Sequence, residues 1–132
     1  MDIVVDASVI VAVIANEPEK ETLIALTRGA RLIAPQSIHW EIGNAFSAML
    51  KRKRITLEQA QRAIAAYKKI SIKLIDVDLR ETIEIADELG IYAYDAYVIR
   101  CAMERNCPLI SLDKALVGHA RQKQVQVMEV SK

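Results

Sequence analysis

The sequence predicts an α/β protein in which a parallel β-sheet lies between two layers of helices. Short β-branched runs without polar alternation, of which residues 3–5 are the first, are typical of strands buried on both faces of such a sheet. Segments with helical apolar spacing alternate with these runs, and this alternation favours right-handed crossovers and parallel pairing. Since the chain has 132 residues and 52% of them are hydrophobic, we expect one domain over residues 1–132.

The first half of the chain carries signals for two strands and four helices. Pro18 interrupts an apolar stretch and separates two short helices, and Pro35 stops the second strand. Thr56, with Gln59 three residues later, has the form of a capping box at the start of a long helix. The predicted elements are a strand at 3–5, helices at 7–14 and 19–28, a strand at 31–34, and helices at 37–54 and 56–69. The last two helices should form a hairpin.

The second half of the chain predicts three further strands and three helices. Gly90 is a typical end for the helix that precedes it, because glycine adopts the left-handed conformation without strain. The predicted elements are a strand at 72–77, helices at 79–89 and 95–105, a strand at 108–111, a helix at 114–122 and a strand at 125–128. The chain therefore supplies five strands for one sheet.

Composition and charge exclude several classes of function. The net charge is only +1, so any contact with nucleic acid has to be local. No apolar run approaches the roughly 20 residues of a membrane span, and no signal peptide is recognised, so we expect a cytoplasmic protein without a membrane partner. The four glycines lie too far apart for a phosphate-binding loop. Cys101 and Cys107 match neither a redox pair nor the tighter zinc spacings, and we interpret both as core residues.

Four acidic residues fall where a parallel sheet places its ligands, beyond the carboxyl ends of the strands. Asp6 follows the first predicted strand and Asp113 follows the fourth. Asp95 opens a helix, and Glu41 lies in the first turns of the helix after the second strand. On a helical wheel Glu41 lies about 60° from the apolar stripe, at the edge of the buried face. All four side chains are therefore candidates for one site.

Each aspartate also has a second interpretation, because helix N-termini favour Asp as a capping residue. That interpretation weakens when the four acids are placed together, since carboxylates about 5 Å apart repel by roughly 3 kcal/mol per pair. Such a cluster favours a bound cation, and ligands without His or Cys favour Mg²⁺ or Mn²⁺. Ions of this kind activate water during phosphodiester hydrolysis. Ser8 and Ser111 are candidates for hydrogen bonds to the metal ligands.

The segments that carry these acids have the sequences VVDAS at 4–8, WEIGNA at 40–45, YDAY at 94–97 and SLD at 111–113. In order and spacing they resemble the four acidic motifs of PIN-domain proteins, in particular those of VapC-type toxins. The resemblance spans essentially the whole chain. Ser111 stands where many relatives carry Thr, and the hydroxyl is kept.

The resemblance implies an endoribonuclease that depends on Mg²⁺ or Mn²⁺. The metal ligands and catalytic residues it implies are Asp6, Glu41, Asp95 and Asp113, with Ser8 and Asn44 nearby. It also implies a PIN-like three-layer sandwich, whose five-stranded parallel sheet has the order 3-2-1-4-5 and helices on both faces. A homodimer and a small antitoxin that neutralises it are the implied partners.

Basic and aromatic residues give weaker signals. Residues 51–54 are a dense basic run at a predicted helix end, where cations complement the helix dipole. Candidates for contacts with RNA phosphates are Lys51, Arg52, Lys53 and Arg54 of this run, joined by Arg100. The six aromatic residues are too scattered along the chain to predict a base-stacking platform. His39 and His119 lie in no motif with an orienting acid or nucleophile, which disfavours a role as general base.

Two alternatives to a nuclease remain open. A receiver-type phospho-acceptor domain also has clustered acids and Mg²⁺, but it needs a Lys after its last strand, whereas Glu129 follows here. A catalytically idle PIN scaffold would bind RNA or antitoxin, yet it has no electrostatic reason to keep four mutually repelling acids. The hairpin at 37–69 has a surplus of apolar residues, and we expect the antitoxin to dock there.

Overall fold

The computed structural model describes residues 1–131, in which strands and helices alternate. In chain order the elements are β1 (Asp2–Val5), α1 (Ala7–Ile14), α2 (Lys20–Thr27), β2 (Arg31–Pro35), α3 (Ile38–Lys51), α4 (Leu57–Lys69), β3 (Ile72–Ile75), α5 (Leu79–Leu89), α6 (Ala93–Arg105), β4 (Leu109–Ile110) and α7 (Lys114–Gln122). Among these helices none is long and apolar enough to cross a membrane. The longest, α3, has 14 residues, whereas a span needs about 20.

The strands of the described chain form one parallel sheet in the order β3-β2-β1-β4. In the centre of the sheet, Ile3 of β1 pairs with Leu32 of β2, and Val4 pairs with Leu109 of β4. On the far side of β2, Leu32 also pairs with Ile72 of β3. Because β1 has a neighbour on each side, the residue that follows it is held in the middle of the carboxyl edge of the sheet.

Alternate strand residues face two different hydrophobic cores. Ile3 and Val5 contribute to the core formed with α1 to α4, whereas Val4 between them contributes to the core formed with α5 to α7. Ile33 and Leu109, on the neighbouring strands, join Val4 on the second side. A strand with a core on each face has no position for a polar residue, which explains the uninterrupted apolar run. The prediction of an α/β fold with helices on both faces is confirmed.

Local signals fix several helix ends. At the start of α4, Thr56 Oγ1 accepts a hydrogen bond from the Gln59 N–H at 3.1 Å, and Gln59 Oε1 accepts one from the Thr56 N–H at 2.9 Å, so the predicted capping box is confirmed. Gly90 ends α5 in the left-handed conformation with φ of 65°. The third helix ends at Lys51 rather than at residue 54, since Lys53 turns the chain with φ of 57°.

The start of α6 differs from its prediction by two residues, and the difference moves a site residue. Tyr92 is extended and takes the N-cap position, so the helix begins at Ala93. Asp95 therefore lies inside the first turn and is not the cap. A carboxylate in this turn faces the positive end of the helix dipole, which is favourable.

The fifth predicted strand, at residues 125–128, is not formed, and the prediction of a five-stranded sheet is wrong for the described chain. The segment does lie beside β4, where the Leu109 N–H donates to Gln126 O and the Met128 N–H donates to Leu109 O, both at 2.9 Å. These bonds make a single parallel bridge. Because β4 has two residues and alternate residues direct their backbone groups to opposite sides, Leu109 alone faces the segment.

Candidate active site

Two of the four predicted acids come after strands of the sheet, and the other two lie in the first turns of helices. Asp6 directly follows β1, and Asp113 follows β4 after two residues. Glu41 lies in the first turn of α3, which follows β2, and Asp95 lies in the first turn of α6. Since β2, β1 and β4 are adjacent and parallel, their carboxyl ends lie together, as the sequence predicts.

Asp6 is buried, with 6% of its surface exposed, and two hydroxyl groups hold its carboxyl group. The Ser8 hydroxyl donates to Oδ1 at 2.7 Å, and the Ser111 hydroxyl donates to Oδ2 at 2.9 Å. Each hydroxyl also accepts a hydrogen bond at 3.0 Å from a backbone N–H, Ser8 from Leu112 and Ser111 from Asp113. This network connects the end of β1 to the loop after β4 and fixes the orientation of the carboxyl group.

Burial and mutual repulsion raise the pKa values of three of the acids. Burial, with a contribution from the charge of Asp113, raises the pKa of Asp6 to about 6, although the two serine hydroxyls oppose this change. Burial and the charges of Asp6 and Asp95 raise the pKa of Glu41 to about 7. The pKa of Asp95 is raised by burial and by Asp113, and His119 opposes the rise. The four acids therefore act on one another within one electrostatic field.

One carboxylate oxygen of Glu41, Oε2, is buried and has no hydrogen-bond partner. The Ser37 hydroxyl lies close enough to moderate the rise in the pKa of Glu41, but neither it nor Oε2 meets hydrogen-bond geometry. A buried carboxylate oxygen without a partner costs free energy that a proton or a cation offsets. Glu41 is therefore the acid whose surroundings most favour a proton or a bound cation.

The donor chemistry of this edge fits a hard divalent cation. The four acids offer carboxylate oxygens, which Mg²⁺ and Mn²⁺ prefer. Within residues 1–131, no three His, Cys, Asp or Glu side chains are arranged as a complete metal site. The fit therefore rests on the chemistry of the donor set and on the Glu41 oxygen that has no hydrogen-bond partner.

Asp113 and Asn44 occupy more exposed positions. Oδ1 of Asp113 accepts hydrogen bonds from the N–H groups of Ala115 and Leu116, at 3.0 Å and 3.1 Å. The capping interpretation therefore holds for Asp113, while its charge also acts on two of the other acids. Asn44 is exposed on α3, one turn after Glu41 and on the same face of the helix.

The basic residues are not gathered at the acids. Residues 51–54 are exposed, and Lys51 lies about 15 Å along α3 from Glu41, at a rise of roughly 1.5 Å per residue. Arg100, on α6, is ion-paired through its guanidinium with Glu81 of α5. The basic run at residues 51–54 is therefore exposed and lies away from the four acids, whereas the guanidinium of Arg100 is paired with Glu81.

Aromatic residues are the feature that the sequence analysis missed. Trp40 of α3 lines one cleft together with Tyr94 and Tyr97 of α6, which are more than 50 residues away in sequence, at the same end of the sheet as the acids. The available signal was their position, because Trp40 directly precedes Glu41 and Tyr94 directly precedes Asp95. His39 lies beside this group, with its ring in contact with Trp40 and Tyr67.

The sequence is similar to that of known ribonucleases. VapC ribonuclease Mb0985 of Mycobacterium bovis is 32% identical over 116 residues, which cover 86% of this chain and 87% of that protein. Ribonuclease VapC9 of Mycobacterium tuberculosis matches with the same identity and coverage.

Solved structures share the fold. PAE2754 from Pyrobaculum aerophilum superposes with a TM-score of 0.73 at 23% identity, over 96% of this chain and 83% of that one. VapBC2 from Rickettsia felis, bound to a DNA fragment from its promoter, gives a TM-score of 0.70 at 15% identity, over 97% and 98% of the two chains. The sequence model of the PIN domain family matches residues 3–121 of this chain. The chain therefore belongs to the PIN-domain family.

Proposed function

We propose that this protein is a metal-dependent endoribonuclease and the toxin of a VapBC-type toxin–antitoxin pair. The observation that carries the proposal is the group of four acids at one sheet edge, in which Glu41 keeps a buried oxygen without a partner. The ribonuclease relatives, which match 86% of the chain, support RNA as the substrate. The receiver-type alternative has no comparable support.

In this proposal Mg²⁺ or Mn²⁺ is held by the carboxyl groups of Asp6, Glu41, Asp95 and Asp113. Such an ion, when bound, lowers the pKa of a water nucleophile and neutralises charge on the phosphate. Asp6 presents its oxygens in the one orientation that Ser8 and Ser111 allow. Glu41 has a pKa of about 7 in the metal-free protein, so a cation binds it in competition with its proton. The hydroxyl groups of Ser8 and Ser111 act by positioning the carboxyl group of Asp6.

Replacing Ser111 with Ala should weaken the site while the fold is kept. The variant loses one hydroxyl donor to Asp6 and leaves the Asp113 N–H without its acceptor. We expect Mg²⁺ or Mn²⁺ affinity to fall about 10-fold to 100-fold and the free energy of unfolding to fall by about 1–2 kcal/mol. Titration calorimetry and urea unfolding measure the two effects. Ser111→Thr keeps the hydroxyl and is the matched control, so equal losses in both variants would contradict the positioning role.

The antitoxin is proposed to dock on the hairpin of α3 and α4. A groove of about 510 Å³ lies between this hairpin and the end of α1. Its lining is mostly apolar, with Phe46, Ile55 and Ala63 among the contributors. An amphipathic segment of a partner would bury its apolar side chains there. A homodimer and action in the cytoplasm are further parts of the proposal, and both rest on the resemblance to VapC-type toxins.

Contacts with RNA phosphates are proposed for the exposed run at residues 51–54. None of these residues forms an ion pair with an acid in the described chain, so their charges are available to a polyanion. For Arg100 the same role requires release from Glu81. Contacts of this kind would strengthen RNA binding without sequence preference and would weaken with salt.

The proposed function is tested by incubating the purified protein with a mixed RNA pool in Mg²⁺, in Mn²⁺ and in EDTA. We expect internal cleavage in at least one metal and none in EDTA, and sequencing of the cut ends then reports the target. Ions that raise the melting temperature without any cleavage would favour the idle scaffold. Incubation with acetyl phosphate, followed by mass measurement, tests the receiver-type alternative, because only that domain gains a phosphoryl group.

A further inference from the structure

A cleft of about 390 Å³ opens between the N-terminal ends of α3 and α6 and the ends of β2 and β3. Its lining combines aromatic and polar side chains, among them Trp40, Tyr94, Tyr97 and Ser37. The volume falls within the roughly 300–1,000 Å³ of pockets that hold small molecules. A flat aromatic group has room in it.

Two of the three aromatic side chains of the cleft are exposed, which is unusual for residues of this size, and the third, Tyr97, is half-buried. Trp40 has 66% of its surface exposed and Tyr94 has 44%. Since burying such side chains is strongly favourable, rings that stay exposed beside a cleft are available to a ligand. Tyr94 and Tyr97 are in edge contact, with ring centroids 6.3 Å apart. The cleft therefore offers two separate aromatic surfaces, one from α3 and one from α6.

The indole of Trp40 is positioned although it is exposed. The His39 ring packs edge-on against it, with ring centroids 5.0 Å apart and planes at 83°. His39 Nδ1 is in turn 3.3 Å from the hydroxyl of Tyr67, which is buried in the core. A ring held in this way loses less conformational entropy when a ligand stacks on it.

The cleft lies beside the group of acids, although none of the four acids lines it. Trp40 and Glu41 are adjacent on α3, and Tyr94 and Asp95 are adjacent on α6. Ser37, which lines the cleft, also lies beside the carboxyl group of Glu41. A phosphate held at the acids is covalently joined to a nucleoside, and the base of that nucleoside can extend into the neighbouring cleft.

We infer that this cleft is a base-stacking subsite, in which Trp40, Tyr94 and Tyr97 hold one unpaired nucleobase of the RNA next to the scissile phosphate. The inference rests on the proposed ribonuclease function and adds to it the part of the substrate that is recognised. Aromatic rings stack on any base, and single-stranded RNA presents bases that are free to stack. The subsite therefore selects unpaired RNA over duplex and a nucleotide over a bare phosphate.

The test uses the intrinsic fluorescence of Trp40, which is the single tryptophan of the chain. The full-length Asp6→Asn variant is titrated in Mg²⁺ with 12-nucleotide single-stranded RNAs and with an abasic oligomer of the same length. We expect the RNAs, and not the abasic oligomer, to quench the fluorescence. In a labelled-RNA binding assay, Trp40→Ala on the same background should weaken binding about 10-fold to 100-fold. Trp40→Phe should restore most of the affinity.

Tyr92→Ala is the matched control, because Tyr92 is 89% exposed, lies two residues from Tyr94 and does not line the cleft. Unchanged RNA affinity in Trp40→Ala, or no RNA binding at all, overturns the inference. It is also overturned if Trp40→Ala converts a dimer to a monomer in sedimentation while RNA affinity stays the same, since the cleft is then an interface between two copies. If bases quench the fluorescence but the wild type cleaves no RNA, the base-binding cleft is supported and the proposed nuclease function is wrong. If the wild type cleaves RNA but Trp40→Ala does not change RNA affinity, the nuclease function is supported and the cleft is not a base-binding subsite.

Discussion

The Asp6→Asn variant should lose RNA cleavage and keep its fold. Asn has the shape of Asp but no negative charge, so it removes a metal ligand from the middle of the sheet edge, where Asp6 follows β1. We expect the cleavage rate to fall by more than the roughly 10-fold to 100-fold that is typical when a residue hydrogen-bonded to a metal ligand is lost. The rate of cleavage of a fixed RNA, measured at saturating Mg²⁺ or Mn²⁺, reports the effect.

The stability of the Asp6→Asn variant shows whether its loss of cleavage comes from the loss of a metal ligand or from damage to the fold. In the metal-free protein at pH 8 the buried Asp6 is charged, and its pKa of about 6 corresponds to a cost of about 3 kcal/mol relative to the ordinary value of 3.8. Asn avoids this cost but loses about 1 kcal/mol with one hydroxyl hydrogen bond. The variant should therefore unfold at the same or a higher urea concentration than the wild type.

Asp87→Asn is the matched control for this variant. Asp87 is exposed on α5, in neither the acid group nor the cleft, so the same chemical change should leave cleavage intact. Substantial cleavage by folded, metal-loaded Asp6→Asn would remove Asp6 from the catalytic group. If Asp6→Asn were instead clearly less stable than the wild type, its lost activity would report unfolding rather than chemistry.

Much of the fold and the position of the acids were predictable because both depend on local patterns. Residues 3–5 predict a doubly buried strand, and a parallel sheet brings the residues after its strands to one edge. Asp6 and Asp113 are therefore placed without knowledge of any contact. Thr56 with Gln59 predicts the start of α4 for the same reason, since a capping box involves residues three apart.

Features that depend on distant contacts were not predictable. Ser111 was a candidate for a hydrogen bond to a metal ligand, but the choice of Asp6 as its acceptor was not predictable, because the two residues are 105 apart in sequence and packing brings them together. The fifth strand failed because β4 is too short to pair with it, which the sequence of residues 125–128 does not reveal. Aromatic residues that are scattered along the chain were brought into one cleft by the sheet order, and spacing alone carries no sign of that.

The metal-free protein should lose stability as the pH rises from about 4 to about 7. An acid whose pKa is raised by folding binds its proton more tightly in the native state than in the unfolded state. Between the two pKa values the unfolded chain has already released the proton, so a rise in pH favours unfolding. For Asp6 this window runs from 3.8 to about 6 and corresponds to about 3 kcal/mol, and Glu41 extends it to about 7.

A divalent ion should reverse this trend above pH 7, because it binds the carboxylates only after the protons have left. At an ion concentration 100 times the dissociation constant, binding to the native state adds about 2.7 kcal/mol. Urea unfolding at pH 4.5, 6 and 8, in EDTA and in Mg²⁺, measures both effects, and Glu41→Gln isolates the part due to Glu41 because it cannot titrate. An equal Mg²⁺ stabilisation at pH 4.5 and 8 would show that the ion binds elsewhere than at the acids, since protonated carboxyl groups are poor ligands for it.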